Sequence, residues 1–172
     1  MLTSTRFSFC PHCASERITE YRHNGMRCAN CGYTYFHNAA AAVAGIIECG
    51  GTILLTRRNK EPRKGFWDLP GGFVDYIETA EAALKREIFE ELHCAIENCR
   101  YMCSFPNIYR YASVDYFTCD MVFICNLQSE AIIRPNSEIM ETMHITKTDI
   151  DWDSLAFSST QAALKYYGAQ SA

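Results

Sequence analysis

The chain lacks any apolar run approaching the ~20 residues that a membrane-spanning helix needs. Its longest, Ala39 to Ile47, is short and alanine-rich. The first ten residues, MLTSTRFSFC, contain no basic region followed by an apolar stretch, so no secretory signal is expected. Internal repeats and low-complexity segments are missing too. With 48% hydrophobic and 21% charged residues, the 172-residue composition is that of a globular chain and excludes wholesale disorder. An excess of positive charge is also missing. The net charge is −4, whereas a nucleic-acid-binding chain is normally basic. The sum is unevenly spread. Residues 1–38 carry +2 (Arg6, Arg17, Arg22 and Arg27 against Glu16 and Glu20), and residues 39–172 carry −6. An acidic body fits metal-binding carboxylates or a solvated surface.

Cysteine is plentiful, at ten residues. Cys49, Cys94, Cys99, Cys103, Cys119 and Cys125 are scattered, mostly in apolar surroundings where Cys behaves as a small hydrophobe. Without a signal peptide, a reducing, cytoplasmic location is expected rather than a disulfide framework. The other four fall as CPHC (Cys10, Cys13) and CANC (Cys28, Cys31). Each Cys-x-x-Cys turn points two thiolates at one ion, and two turns close a tetrahedron around Zn²⁺. The competing reading is a redox dithiol or disulfide pair. Residues 1–38 are too few to bury a stable core alone, so a metal would supply folding energy. A closed four-thiolate site leaves no open position for a substrate, and its role is structural.

From residue 39 the pattern changes to strands, a helix and more strands. Ala39–Glu48 and Thr52–Arg57 read as a hairpin around Gly50–Gly51. Phe66 to Gly72 reads as a loop. Glu78–Leu92 reads as a helix with Thr79 as N-cap. Strands follow at about 94–104 and 114–127 and over 138–145, and a last helix spans 158–167, stopping at Gly168. At about 100° per residue, Glu87, Glu90 and Glu91 share one helix face, while Ile88, Phe89 and Leu92 face a core. Like charges so spaced destabilise a helix. Mg²⁺, which takes carboxylates, waters and phosphates, would offset that cost. A solvated acidic face paired with Lys85 and Arg86 explains the spacing equally well.

The run Gly72-x5-Glu78-x7-Arg86-Glu87-Ile88-x-Glu90-Glu91-x-His93-Cys94 resembles the Nudix box, the signature of the Nudix hydrolases. The one departure is His93, where the box has a late glycine. This residue closes the helix, and His adopts the left-handed conformation more readily than most residues. The preceding Trp67-Asp68-Leu69-Pro70-Gly71-Gly72 is similar to the family's lead-in. The resemblance implies an α/β/α sandwich around a mixed sheet over residues 39–172. It implies hydrolysis of a nucleoside diphosphate linked to another moiety, by attack of a metal-activated water on phosphorus. It implies Mg²⁺ or Mn²⁺ held by Glu87, Glu90 and Glu91 with the Gly71 carbonyl, and Arg86 orienting the carboxylates. Glu78 would brace the helix start. The base could be a box glutamate or a downstream acid, with Glu141 first and Asp120 and Glu138 as rivals. Homodimers are common in the family, so a homodimer is among the expectations, with neither membrane nor nucleic acid as partner.

A ribbon ahead of such a box is similar to the NADH pyrophosphatase architecture. The array after the box in those enzymes is echoed here only by Ser104 and Pro106. ADP-ribose and other nucleotide sugars therefore stand beside NADH as expected nucleotide-type substrates. Phe105, Tyr109 and Tyr111 are candidates to stack on a base, and Arg57 or Arg58 to meet phosphate. Core packing and solvated strand-end charge are the competing roles. A second function class stays open, in which the fold senses a nucleotide and the zinc ribbon binds nucleic acid or protein.

Overall fold

The computed structural model describes residues 7–128 and 132–170. The chain divides into two compact units, Met1–Ala39 and Ala40–Ala172.

The first unit is a three-stranded antiparallel sheet in the order β1 (Ile18–Tyr21), β2 (Gly25–Cys28), β3 (Thr34–Phe36). Tight turns flank it. The Ala14 amide donates to the Cys10 carbonyl at 2.8 Å and the Gly32 amide to the Cys28 carbonyl at 3.0 Å. Gly32 sits at φ 76°, where glycine is favoured.

The second unit is an α/β/α sandwich. Its strands are β4 (Ala40–Cys49), β5 (Thr52–Arg58), β6 (Trp67–Asp68), β7 (Gly71–Phe73), β8 (Ile96–Tyr111), β9 (Val114–Leu127) and β10 (Ile139–Ile145). The main path is β10-β5-β4-β9-β8, in which only β4 and β9 run parallel, so the sheet is mixed. Neighbouring residues of one strand serve opposite layers, as the period of two requires. Ile47 packs with Leu84, Ile88 and Leu92 of helix α1 (Ala80–Leu92). Ile46 packs with Leu164 and Tyr167 of helix α2 (Ser158–Gln170). Each such fully buried aliphatic side chain contributes about 1.5–3 kcal/mol.

One feature of the sheet positions the site. The β4–β5 hairpin pairs only from Ile47 to Cys49 against Thr52 to Leu54. Beyond that the strands part like a fork. β7 pairs with β4 over Ala42–Ala44, and β6 pairs with β5 over Thr56–Arg57. Trp67, Asp68, Gly71 and Gly72, within the stretch Phe66 to Gly72 read from sequence as a loop, therefore belong to sheet strands. β8 also runs seven residues further than expected, through Pro106, which is tolerated because β8 is an edge strand. Helix α2 continues through Gly168 to Gln170. Phe89 corrects the helix-face reading. It is 57% exposed, because the buried stripe of α1 is Ala83, Leu84, Ile88 and Leu92. Among the described residues no helix is long and apolar enough to cross a membrane.

Candidate active site and candidate metal centre

Helix α1 carries the acidic side chains, and both of its ends are fixed by local chemistry. Thr79, extended at φ −83°, caps the start by accepting from the Ala82 amide at 3.2 Å. His93 closes the helix in the left-handed region (φ 52°), its amide donating to the Phe89 carbonyl at 2.9 Å. Its ring adds what a glycine could not, a 2.8 Å hydrogen bond between Nδ1 and the Arg134 carbonyl.

Arg86 is the hub of the acidic face. Its Nε and Nη2 grip Glu78 as a fork, both at 3.0 Å. Nη1 donates to Glu87 at 2.9 Å and to Glu90 at 3.3 Å, and Nη2 also reaches the Phe73 carbonyl at 3.0 Å. Glu78 lies before the helix, and its Oε2 accepts from the Asp75 amide at 3.1 Å. The Arg86 guanidinium and this amide hold the Glu78 carboxyl below its usual range.

Glu87 and Glu91 reach the cavity past the glycine pair. A Cβ on Gly72 would lie 2.4 Å from the Glu87 carboxyl carbon, so only glycine admits that carboxylate. A Cβ on Gly71, at φ 150°, would lie 2.1 Å from the Val43 carbonyl oxygen. The Gly71 amide donates to Glu91 at 3.1 Å. Burial pushes the Glu91 carboxyl up to about 8 against that amide, with the charges of Glu87 and Asp68 adding to the rise. Burial also raises Glu87, opposed by Arg86. These are acids held out of water without enough positive charge, an arrangement typical of functional sites.

The cavity, about 220 Å³, is lined by Glu87 and Glu91 of α1, Gly71 and Gly72 of β7, and Ser159, Thr160 and Ala163 of α2. Ala42 and Ala44 of β4 also line it, as do Tyr109, Phe73 and Phe157. The Tyr109 ring lies 5.6 Å from Phe73 and 5.7 Å from Phe157. Arg58 lines the cavity as well. Its Nε donates to the Pro62 carbonyl at 2.9 Å, its Nη1 meets Asp68 at 3.3 Å, and its guanidinium sits 5.1 Å from the Phe157 ring centre. Its Nη2 is buried with no hydrogen-bond partner among the described residues. Asp68 is buried, which raises its pKa against the pull of Arg58, and it accepts from Thr160 of α2 at 2.6 Å. Asn107, Thr118, Asp120, Glu138 and Lys60 complete the polar lining.

Several sequence candidates lie elsewhere. Glu90 is half-exposed, held by Arg86, and outside the lining. Arg57 turns away from the cavity, pairing with Glu141 at 2.7 Å and with the Gly65 carbonyl at 2.8 Å, so both Arg57 and Glu141 stand outside. Phe105 packs under α2 against Tyr166 at 6.4 Å. Tyr111 is 53% exposed near the β8–β9 turn. Of the rival candidates, the cavity takes Arg58 over Arg57, Tyr109 over Phe105 and Tyr111, and Glu138 and Asp120 over Glu141. Lys60, Asp68 and Thr160 were missed. The Trp-Asp-Leu-Pro run was the only signal for Asp68, and Thr160 carried none.

In the first unit the four sulfurs of Cys10, Cys13, Cys28 and Cys31 lie within 4.8 Å of one another. The pairs Cys10–Cys31 and Cys13–Cys28 are each 3.7 Å apart. A tetrahedron with Zn–S bonds of about 2.3 Å has edges of about 3.8 Å, so the cluster could hold zinc. Asn30 supports it. Its amide donates to Cys28 at 3.4 Å and its side chain to Cys13 at 3.6 Å. The Asn30 side chain leads in lowering Cys13 to about 6. Cys31 is pushed up to about 12: the Tyr33 amide pulls the other way, but burial and the three neighbouring sulfurs outweigh it. Four thiolates cannot coexist so closely without a cation.

A family model, NUDIX domain, matches residues 36–160. The chain belongs to the NUDIX family. It is 35% identical over 98 residues to the NAD-capped RNA hydrolase NudC of Edwardsiella ictaluri, covering 57% of this chain and 38% of that protein. It is 51% identical over 59 residues to an ADP-ribose pyrophosphatase of Methanocaldococcus jannaschii, covering 34% of this chain and 35% of that one. The chain thus spans less than half the length of these relatives. Among solved structures, the NUDIX hydrolase of Nitrosomonas europaea superposes with TM-score 0.72 at 24% identity, over 95% of this chain and 92% of its own. The NUDIX domain of Shewanella oneidensis NrtR, crystallised with ADP ribose, gives 0.64 at 19% identity, over 80% of this chain and 91% of its own. Both likenesses speak to the fold.

Proposed function

We propose that the chain is a pyrophosphohydrolase of nucleoside diphosphates linked to a second moiety, a class that includes NADH, ADP-ribose and nucleotide sugars. One observation carries this reading. A single cavity joins the half-buried Glu87 and Glu91 and their glycine cradle to an orphaned arginine N–H and an aromatic wall. The names of the two relatives support the same substrate class.

Glu87, Glu91 and the Gly71 carbonyl would offer an all-oxygen donor set that suits Mg²⁺ or Mn²⁺ rather than a soft metal, with Glu90, held by Arg86 outside the lining, the third box carboxylate on the same helix. Bound there, such an ion would neutralise charge on the diphosphate and lower the pKa of a bound water. Arg86 fixes the Glu87 and Glu90 carboxylates by charge-assisted hydrogen bonds. Arg58 offers its free Nη2 to a phosphate oxygen, and Asp68 holds the guanidinium for that contact. Tyr109, with Phe73 and Phe157, stacks on a base, a contact that tolerates any π-face. A carboxylate oxygen of Glu138, whose carboxylate also pairs with Lys60, takes the proton of the attacking water, with Asp120 as the other downstream acid lining the cavity. Zn²⁺ on the four cysteines stabilises the small unit and takes no part in chemistry.

The deciding experiment is turnover of NADH, ADP-ribose, nucleotide sugars and deoxynucleoside triphosphates with Mg²⁺, with products identified by mass. Cleavage of the diphosphate in one of the first three is expected. Tight binding with no hydrolysis would replace the reading by that of a nucleotide sensor.

A further inference from the structure

The three-stranded sheet of the first unit has two unlike faces. Residues opposed across antiparallel strands, and those two apart along a strand, share a face. The registers Thr19↔Arg27↔Thr34 and Tyr21↔Gly25↔Phe36 therefore place these six residues together. The other face carries Glu20, buried Met26 and Tyr35.

The first face carries two aromatic rings, Tyr21 half-buried and Phe36 exposed. The Tyr21 and Phe36 rings lie 5.9 Å apart. Between them Gly25 has no side chain, and a Cβ there would meet the Tyr21 carbonyl oxygen at 2.7 Å and the Phe36 ring at 3.1 Å. Gly25 is buried, and its lack of a side chain lets the two rings meet edge to face over the middle of the sheet. Two exposed guanidinium groups overhang it. Arg22 lies 5.4 Å from the Tyr21 ring centre and 5.9 Å from that of Phe36, and Arg27 lies 5.9 Å from Tyr21. Phe36 is 36% exposed. No strand residue on this face is acidic, since Glu20 belongs to the opposite one. The modest charge of the head, read from the sequence, hides this separation.

We propose that this face binds single-stranded nucleic acid. Bases stack on Tyr21 and Phe36, and Arg22 and Arg27 meet the phosphates between them. Aromatic platforms flanked by cations suit single strands because unpaired bases expose their π-faces, and duplexes do not. The site is separate from the catalytic reading and needs no diphosphate.

The test is fluorescence anisotropy of the zinc-loaded full chain with a labelled 5′-hydroxyl single-stranded RNA octamer, with DNA of the same length, and with a duplex. The expected dissociation constant is about 10⁻⁴–10⁻⁶ M, with a log–log salt slope of about −1.4 for two phosphates. RNA and DNA single strands should bind comparably, and saturating ADP-ribose should not displace them. Tyr21→Ala should weaken binding at least about fivefold, the loss of one stacked base. The double variant Arg22→Gln/Arg27→Gln, confined to exposed side chains, should flatten the salt slope while zinc content stays at that of the parent. Absence of binding at 50 mM salt, equal affinity for duplex, displacement by ADP-ribose, or an unchanged slope in the arginine double variant would each overturn the proposal.

Discussion

Replacing Glu91 by Gln separates what burial costs this carboxylate from what it is for. Burial raises the Glu91 pKa from the ordinary 4.5 to about 8. At about 1.4 kcal/mol per pH unit, holding that side chain ionised in the fold costs about 4–5 kcal/mol. The native state keeps a proton that the unfolded chain releases near pH 4.5. Stability of the magnesium-free chain therefore falls as pH rises from about 4.5 to 8, and stays low above that. Glu87 and Asp68 are shifted the same way and add to the slope. In Glu91→Gln the amide oxygen still accepts from Gly71, but a buried NH₂ is left without a defined partner, at about 1–3 kcal/mol. The variant should gain about 2 kcal/mol over the parent at pH 8, lose at pH 5, and show a shallower pH slope. Urea melts from pH 5 to 8.5, with zinc retained, measure all three. Adding Mg²⁺ should restore the parent at pH 8 by binding the ionised site and should help the variant little. Turnover of the variant should drop by more than about 100-fold, beyond what loss of a mere supporting partner costs. Parallel melting profiles for parent and variant, with or without Mg²⁺, would refute the reasoning.

Gly72→Ala puts a methyl group 2.4 Å from the Glu87 carboxyl carbon, so it should abolish most turnover by displacing Glu87 while circular dichroism stays that of the parent. Glu138→Gln should slow turnover at least about tenfold at saturating substrate, whereas Glu141→Gln, which loses only an exposed pair with Arg57, should stay within about threefold. Equal effects of the two would remove Glu138 from its assigned role. Cys28→Ser should leave less than one zinc per chain by metal analysis and loosen the head before it alters turnover; full zinc occupancy would mean a different ligand set.

The parts of this molecule legible in sequence are those governed by near neighbours. The α1 helix, its Thr79 cap, the left-handed His93 and the four cysteines all follow from spacing within a few turns of chain. The site's far wall does not. Phe105, Tyr109 and Tyr111 share one face of β8 and look alike in sequence. Only position along the strand decides that the first lies under α2, the second on the cavity and the third beyond it. Arg57 and Arg58 are adjacent on β5 and therefore point oppositely, and nothing local says which side of the sheet holds the cavity. Register also shifts between Ile139 and Glu141 in β10, which breaks the simple alternation from Glu138 onward. Asp68 and Thr160 meet across 92 residues, a contact created by the docking of α2.

The parting of β4 from β5 has a consequence for how such a protein can change. Because Gly71 and Gly72 are stitched into the sheet by β4, the acidic end of the cavity inherits the rigidity of the scaffold. The opposite wall comes from the far end of the β8–β9 hairpin, where 107–111 and 114–117 pair only with each other and with Thr118, and from the first turn of α2. Mutation can therefore remodel what the protein recognises while the bond-breaking end stays fixed, and new ligand preferences should arise by substitutions near 107–118 and 157–160 rather than near 71–91.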